Sequence, residues 1–528
     1  MNIEIAVIAA LLLASVVGMV AQRLRLPYTV SLVFVGLACA VVRDRFFADF
    51  DPGLHLTPQL LFTVLLPALV YEAAFHLELR HFVETWRAVL MLAVPGVVVG
   101  TGLTFALSWG VLSAFGVPVH WQVLLLAATI LAATDPVGVL ALLREVNAPR
   151  RLAMIMEGES LLNDGIAIVA FGVVITAVGI GPHHGGITVG WVAGFLTWEV
   201  VGAVLIGGGL GLGLSWLTST IDDHLIEITL TTISAFGSFV IAEQAHASGI
   251  IACLVAGVLS GNVGATYGMS ASTRVAVTSF WEYAAFVANS IVFLLVGLET
   301  SPDRLLRIVV PVVVIWLAML VARALFIAGF LPAMGPQRVA SKKGLVAVLS
   351  WGGLRGGVAM VLALSVPRTY AFRQPLIDLV FGAVLLSILA QAPTMPLLLR
   401  LLGIGRDRRV AQSAAILRTR LRALSQAEHY LERQREVGAV LPEIYEELRE
   451  ELTRRRQDVE IEAQALRVDA GAVLREEQSE LRRQLAIVEK ESVRQAFAQG
   501  AIDEQLMRRL VREIDDRILA LKATTEET

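Results

Sequence analysis

Residues 158–165 read Gly-Glu-Ser-Leu-Leu-Asn-Asp-Gly, and residues 166–179 follow as IAIVAFGVVITAVG. The second stretch is apolar enough to lie in lipid. The first puts two carboxylates, a hydroxyl and an amide at its head. Charged side chains within a bilayer are costly, so they mark an ion path or a buried pair. On a helix, Glu159 and Asn163 are four residues apart, as are Ser160 and Asp164, so the two pairs form adjacent stripes on one side. Carboxylate and hydroxyl oxygens are hard ligands suited to Na⁺, K⁺ or Li⁺, and no His or Cys set accompanies them to suggest a transition metal. Partial dehydration disfavours the charged form of a carboxyl. One such group then holds either a proton or a cation, which is the minimum needed to exchange one for the other.

The surrounding chain has the composition of a membrane protein. Its 528 residues are 56% hydrophobic and only 17% charged, too little charge for a soluble surface of this size. A formal net charge of −3 gives no basic excess for nucleic acid. Cys39 and Cys253 lie in apolar runs without metal-ligand spacing and read as membrane-core residues, not as a disulfide framework. The first apolar run has an acidic start and no small-residue cleavage pattern, so it reads as a mature helix.

A helix needs roughly 20 apolar residues to cross the hydrocarbon core. Thirteen segments fit, near 3–21, 28–45, 57–75, 88–112, 121–143, 152–177, 190–217, 225–243, 246–261, 280–299, 305–331, 344–366 and 375–401. Only a few residues around Ala245 and His246 separate the eighth from the ninth, so a count of twelve also needs weighing. Basic residues decide: one set of loop ends carries 11 Lys and Arg (Arg23, Arg80 and Lys343 among them) and the other set 6. The richer side is cytoplasmic by the positive-inside rule. That places the N-terminus outside and the C-terminal tail in the cytoplasm of a cell whose plasma or inner membrane holds the protein, and it requires an odd number of spans.

Composition changes near Gly403. Residues 404–528 hold 48 of the chain's 89 charged residues and one proline, Pro442. Leucines recur there at helical spacing, as at Leu424, Leu431, Leu474 and Leu481. The expected division is a transmembrane domain over 1–403 and a cytoplasmic helical domain over 404–528, a hairpin or coiled coil with a regulatory or dimer-forming role.

Two further clusters carry chemistry. Ala133-Thr134-Asp135-Pro136-Val137 falls in the middle of the fifth span. Pro136 lacks a backbone donor and disfavours helix at Asp135, so the span is expected to break there and free polar backbone groups at the membrane midplane. The plainer reading is a proline kink with Asp135 as a helix cap. Residues 351–358, WGGLRGGV, put four glycines and Arg355 into the twelfth span. Glycines let this helix break or pack closely. Arg355 needs a buried acid; Glu159 is the first choice, leaving Asp164 to titrate. Two interrupted spans of opposite direction, one in each half, point to an inverted-repeat transporter.

These three motifs, in this order, resemble those of the monovalent cation:proton antiporter-1 family, the sodium/proton exchangers of the bacterial NhaP type. Supporting stretches are LLPALVYEAAF at 65–75, SGIIACLVAGVLSGN at 248–262 and FWEYAAFVANSIVFLLVGLE at 280–299. The resemblance covers roughly residues 5–400. It implies an all-α polytopic fold with two crossing interrupted helices, in which a core domain moves against a dimerisation domain in a homodimer. It also implies an ion site lined by Thr134, Asp135, Glu159, Ser160 and Asp164, with Asp164 as the principal Na⁺ and H⁺ ligand. Asn163 and Arg355 are then supporting residues, and no cofactor is needed. The family places an acid near Glu72, whose functional reading is a pH-sensitive gate. Glu243 and Glu282 read more readily as structural partners of Arg323 or Arg274, and His183 and His184 as solvated loop residues.

The leading expectation is electroneutral exchange of one Na⁺ (or Li⁺) for one H⁺: relatives with two adjacent acids at this place tend to move more charge per cycle, so by this resemblance the neutral Asn163 beside Asp164 implies a one-for-one exchange. K⁺/H⁺ exchange uses the same ligands and is the runner-up. A cation channel is a separate class. An intramembrane hydrolase with Asp135 and Asp164 as a dyad ranks low, for no nucleophile or metal motif accompanies them; the chain is not expected to be an enzyme.

Overall fold

The computed structural model describes residues 3–24, 28–46, 61–135, 139–140, 142–143, 148–180, 189–300, 302–332, 342–404, 420, 423–435 and 441–469, with a few further positions between 485 and 514. Among these the chain is helical, with no strand. The fold is all-α and polytopic. Its first helices are α1 (Ile3–Leu24), α2 (Tyr28–Phe46), α3 (Leu66–His76, entered through a π turn over Leu61–Leu65) and α4 (Leu79–Ala114). They are followed by α5 (Trp121–Ile130), α6 (Arg150–Ala177), α7 (Val189–Thr218), α8 (His224–Gln244), α9 (Gly249–Leu259, continued by a π segment over Ser260–Gly268) and α10 (Ala271–Glu299). After a short helix at Pro302–Arg307 come α11 (Val309–Phe330), the broken α12 (Lys342–Trp351, then Gly357–Ser365) and α13 (Arg373–Leu401). Seven helices, α4, α6, α7, α8, α10, α11 and α13, are long and apolar enough to cross a membrane by themselves. The rest are shorter apolar helices, as the segment lengths in the sequence anticipate.

Local chemistry sets the boundaries. The doubtful join near Ala245 is a true turn: His246 takes a positive φ of 53°, and Ser248 Oγ then accepts the Ile251 amide at 3.4 Å to cap α9. Asp223 caps α8 by accepting the Leu225 amide at 2.8 Å, and Ser270 caps α10 through the Thr273 amide at 3.4 Å. Each side chain supplies an acceptor that a helix start otherwise lacks. The fourth helix begins well before its apolar run because 79–87 extends it as a polar turn. At 36 residues it spans about 54 Å.

Packing rests on close contact, since lipid tails are as apolar as leucine and give helices no hydrophobic reason to associate. Helices α2 and α10 touch through Gly36 and Gly297: a Cβ on either would lie 2.2 Å from Leu294 O or 2.3 Å from Val33 O. Helices α3, α8, α9 and α10 enclose a second core. There the Tyr71 and Trp281 rings stand 4.5 Å apart between centroids, and Trp281 Nε1 donates to Thr231 Oγ1 at 3.1 Å. That bond satisfies an indole that is 1% exposed, as a buried donor requires.

Contacts divide the chain into two compact units, Met1–Leu402 and Gly403–Thr528. Gly403 adopts φ +67°, the left-handed conformation that ends helices at glycine. In the second unit a helix over 423–435, α14, packs antiparallel on α15 (Pro442–Asp469). Arg456 reaches Glu428 at 2.8 Å, Tyr445 donates its hydroxyl to Glu432, and the Arg435 guanidinium lies 4.8 Å over the Tyr445 ring.

Candidate functional site

The site forms where α5 and α12 are interrupted. Helix α5 stops at Ile130, and residues 133–135 are irregular; Pro136–Gly138 lie outside the described residues. In α12 the helix stops at Trp351 and restarts at Gly357. The two breaks meet: the Asp135 amide donates to Leu354 O at 2.9 Å. A Cβ on Gly356 would lie 2.2 Å from Asp135 Oδ2, so only glycine lets the second break approach that carboxylate.

Arg355 binds the breaks themselves. It is 4% exposed, and its Nη1 donates to Ala132 O at 2.9 Å and Ala133 O at 3.0 Å. These carbonyls sit just past the C-terminal end of α5, where a helix carries partial negative charge. Its amide donates to Ser387 Oγ at 3.2 Å, and Ser387 in turn donates to Gln391, whose Nε2 caps Trp351 O at 2.8 Å. The expected pairing of Arg355 with Glu159 is therefore corrected. Glu159 is held by Arg323 of α11, Nη1 to Oε1 and Nη2 to Oε2 both at 2.8 Å, while Arg323 Nε donates to Leu349 O at 2.8 Å. The geometry is the bidentate fork that guanidinium and carboxylate favour. Arg355 needs no acid because the broken helix supplies free carbonyls instead. Arg323 gave little sequence signal beyond being an arginine inside an apolar span.

Ser160 and Asn163 face the break in α5. Ser160 Oγ donates to Thr134 O at 2.5 Å. Asn163 Nδ2 donates to Ala132 O at 2.9 Å and to Thr134 Oγ1 at 3.1 Å. Thr134, Glu159, Ser160 and Asn163 are all buried. Ser160 Oγ, which donates in its bond, keeps its lone pairs for a ligand, and Thr134 Oγ1, which accepts from Asn163, keeps one. Asp164 Oδ1, like the adjacent Asn163 Oδ1, is buried with no hydrogen-bond partner among the described residues, and of the two only Asp164 is a carboxylate.

A cavity of about 310 Å³ reaches this group, with Thr134, Asp135, Ser160 and Asp164 on one wall. Glu72, His76 and Glu282 also line it. Sequence reasoning put Glu72 near a gate but treated Glu282 as a structural partner of a basic residue; instead Glu282 lines this cavity. Glu243 accepts the Gly249 amide at 3.3 Å and is not joined to Arg323. His76 was missed, although its place four residues after Glu72 on one helix face was legible. His183 and His184 lie outside the described residues.

The sequence itself also matches a family. The model of the transmembrane sodium/hydrogen exchanger fits residues 8–401, most of the chain. The chain belongs to the sodium/hydrogen exchanger family. Among its relatives, the Na⁺/H⁺ antiporter ApNhaP of Aphanothece halophytica is 37% identical over 406 residues, 76% of this chain and 74% of that one. The Na⁺/H⁺ antiporter NhaS2 of Synechocystis is 32% identical over 527 residues, 98% of this chain and 93% of that one, so the similarity runs through the tail as well. In structure the chain resembles the sodium proton antiporter MjNhaP1 of Methanocaldococcus jannaschii, with a TM-score of 0.61 over 76% of this chain and 99% of that one. At 19% identity this is a likeness of fold.

Proposed function

We propose that this member of the exchanger family is a secondary transporter that exchanges Na⁺ (or Li⁺) for H⁺, one for one, by alternating access. The observation that carries the reading is Asp164: a carboxylate with a buried oxygen lacking a partner, on the wall of a cavity shared with Thr134, Asp135 and Ser160. Such a group is stabilised by either a proton or a cation, and each displaces the other. Thr134 and Ser160 offer hydroxyl oxygens, and Asp135 a second carboxylate. Asn163 adds an amide without adding charge, which supports a one-for-one cycle. Arg323 holds Glu159 through both of its carboxylate oxygens. No bond-making chemistry is involved.

In the orientation set by the basic loops, the turn between α3 and α4 faces the cytoplasm of a cell membrane. His76, the last residue of α3 and part of the cavity lining, then lies toward that side. A homodimer is the assembly proposed for the membrane unit, with the tail as its regulatory or dimer-forming partner.

The test is reconstitution into liposomes with an outward cation gradient and an internal pH dye. Internal acidification driven by Na⁺ but not K⁺, unchanged when the voltage is clamped at zero, is the expected result. The same signal with K⁺ reassigns the cation. Cation flux that follows voltage without proton movement overturns the reading in favour of a channel.

A further inference from the structure

The cavity that Asp164 lines also carries a second titratable cluster. His76 Nδ1 lies 2.9 Å from the backbone oxygen of Glu72 and 3.3 Å from Glu72 Oε1. A carbonyl only accepts, so Nδ1 carries the hydrogen and Nε2 is the basic nitrogen of the neutral ring. Nε2 is buried, with no hydrogen-bond partner among the described residues, and sits 3.9 Å from Glu282 Oε1 across the gap between α3 and α10. The ring is thus fixed at one nitrogen, with the other left to take a proton beside a carboxylate.

Other groups near it are few. Glu72 lies on its own helix, Glu282 on α10, and Glu157 of α6 lines the same cavity. The segment 249–268, which also packs on α3, has no Asp, Glu, Lys, Arg or His. On the next helix, His81 and Glu78 face each other at 3.7 Å. Among the described residues no arginine or lysine lines the cavity.

We propose that His76 is a proton-relay residue of this cavity, passing protons between Asp164 and bulk water. The proposal rests on the exchange reading above. When a cation displaces the proton from Asp164, His76 Nε2 takes that proton through cavity water. The imidazolium so formed is held between the carboxylates of Glu72 and Glu282. Loss of the Nε2 proton to bulk restores the Nδ1–H ring, and no proton is gained or lost over the cycle. While charged, the imidazolium also offsets the two carboxylates that draw cations into the cavity. Cation entry therefore weakens as His76 protonates.

The test uses the full-length protein with two readouts. In liposomes with the cavity face exposed, the wild-type KM for Na⁺ is expected to rise about tenfold from alkaline to mildly acidic pH, the effect of one added charge near a protein surface. His76→Asn keeps a donor for Glu72 O but cannot titrate; it is expected to slow proton-coupled exchange and to make that rise smaller without abolishing it, since proton competition at Asp164 persists. An unchanged profile in His76→Asn overturns the relay. Nitrogen NMR of histidine-labelled protein is the second readout and needs no transport. The signal lost in His76→Asn should be an Nδ1–H tautomer, titrating at lower pH in Glu282→Gln. An Nε2–H tautomer, or no titration between mildly acid and alkaline pH, overturns the proposal even if exchange is normal. A wild type that moves no protons, with the NMR signature intact, instead overturns the exchange reading.

Discussion

Glu159 and Asp164 are carboxylates five residues apart on one helix, yet they occupy opposite physical states. Glu159 is 2% exposed and locked in a two-point pair with Arg323. Asp164 has a buried oxygen without a partner and faces a cavity. The first acid is fixed so that the second can change. A buried pair is costly to break because one removed partner leaves the other charge stranded. An unpaired carboxylate at a cavity has no such constraint and can alternate between ligands. A transporter needs both, a rigid frame and one group with two states.

The comparison can be broken in order of expected effect. Asp164→Asn should reduce Na⁺-driven proton movement by about a hundredfold or more, as loss of the essential proton-transfer group does, with the protein still monodisperse in detergent; exchange at the wild-type rate would falsify the site. Glu159→Gln should act on stability first. It strands Arg323 at a cost of about 3–5 kcal/mol, read as a lower melting temperature, and Glu159→Leu with Arg323→Met together should recover most of it. If the single and double variants melt alike, the pair is not the frame described here. Gly356→Ala brings a methyl against Asp135 and should cost about 1–3 kcal/mol together with a raised KM for Na⁺; a neutral result would mean the two breaks do not need to approach so closely. Ser160→Ala removes one hydroxyl and its bond to Thr134 O, worth about 1 kcal/mol, and should raise the KM several-fold. Smallest of all, Arg456→Ala in the tail breaks a pair that is 47% and 30% exposed. Its effect on melting should stay within about 1 kcal/mol, in contrast to the same kind of pair when buried.

Much of the fold is legible because lipid imposes length. Among the described residues each of the thirteen apolar segments holds a helix, seven of them long enough to cross by themselves, and two are broken where proline or glycine clusters stand. The break in α12 follows from Gly352, Gly353, Gly356 and Gly357, and the break in α5 from the residue before Pro136. Ser160, Asn163 and Asp164 share one side of α6 by helical spacing alone. The partner of Glu159 was not legible. Arg323 and Arg355 are both lone cations in apolar spans, and nothing in their local sequence says which one meets an acid and which one meets freed carbonyls.

The sequence by itself determined the helical membrane fold, the two interruptions, the charged tail and the identity of the polar residues, because hydrophobicity, proline, glycine and charge act locally and through the solvent. Only the tertiary structure decided which charges neutralise one another, which carboxylate is left to face the cavity, and that His76 stands between Glu72 and Glu282. Those outcomes depend on how helices distant in sequence pack at a few ångströms, and electrostatic pairing in a low-dielectric interior is decided at that distance.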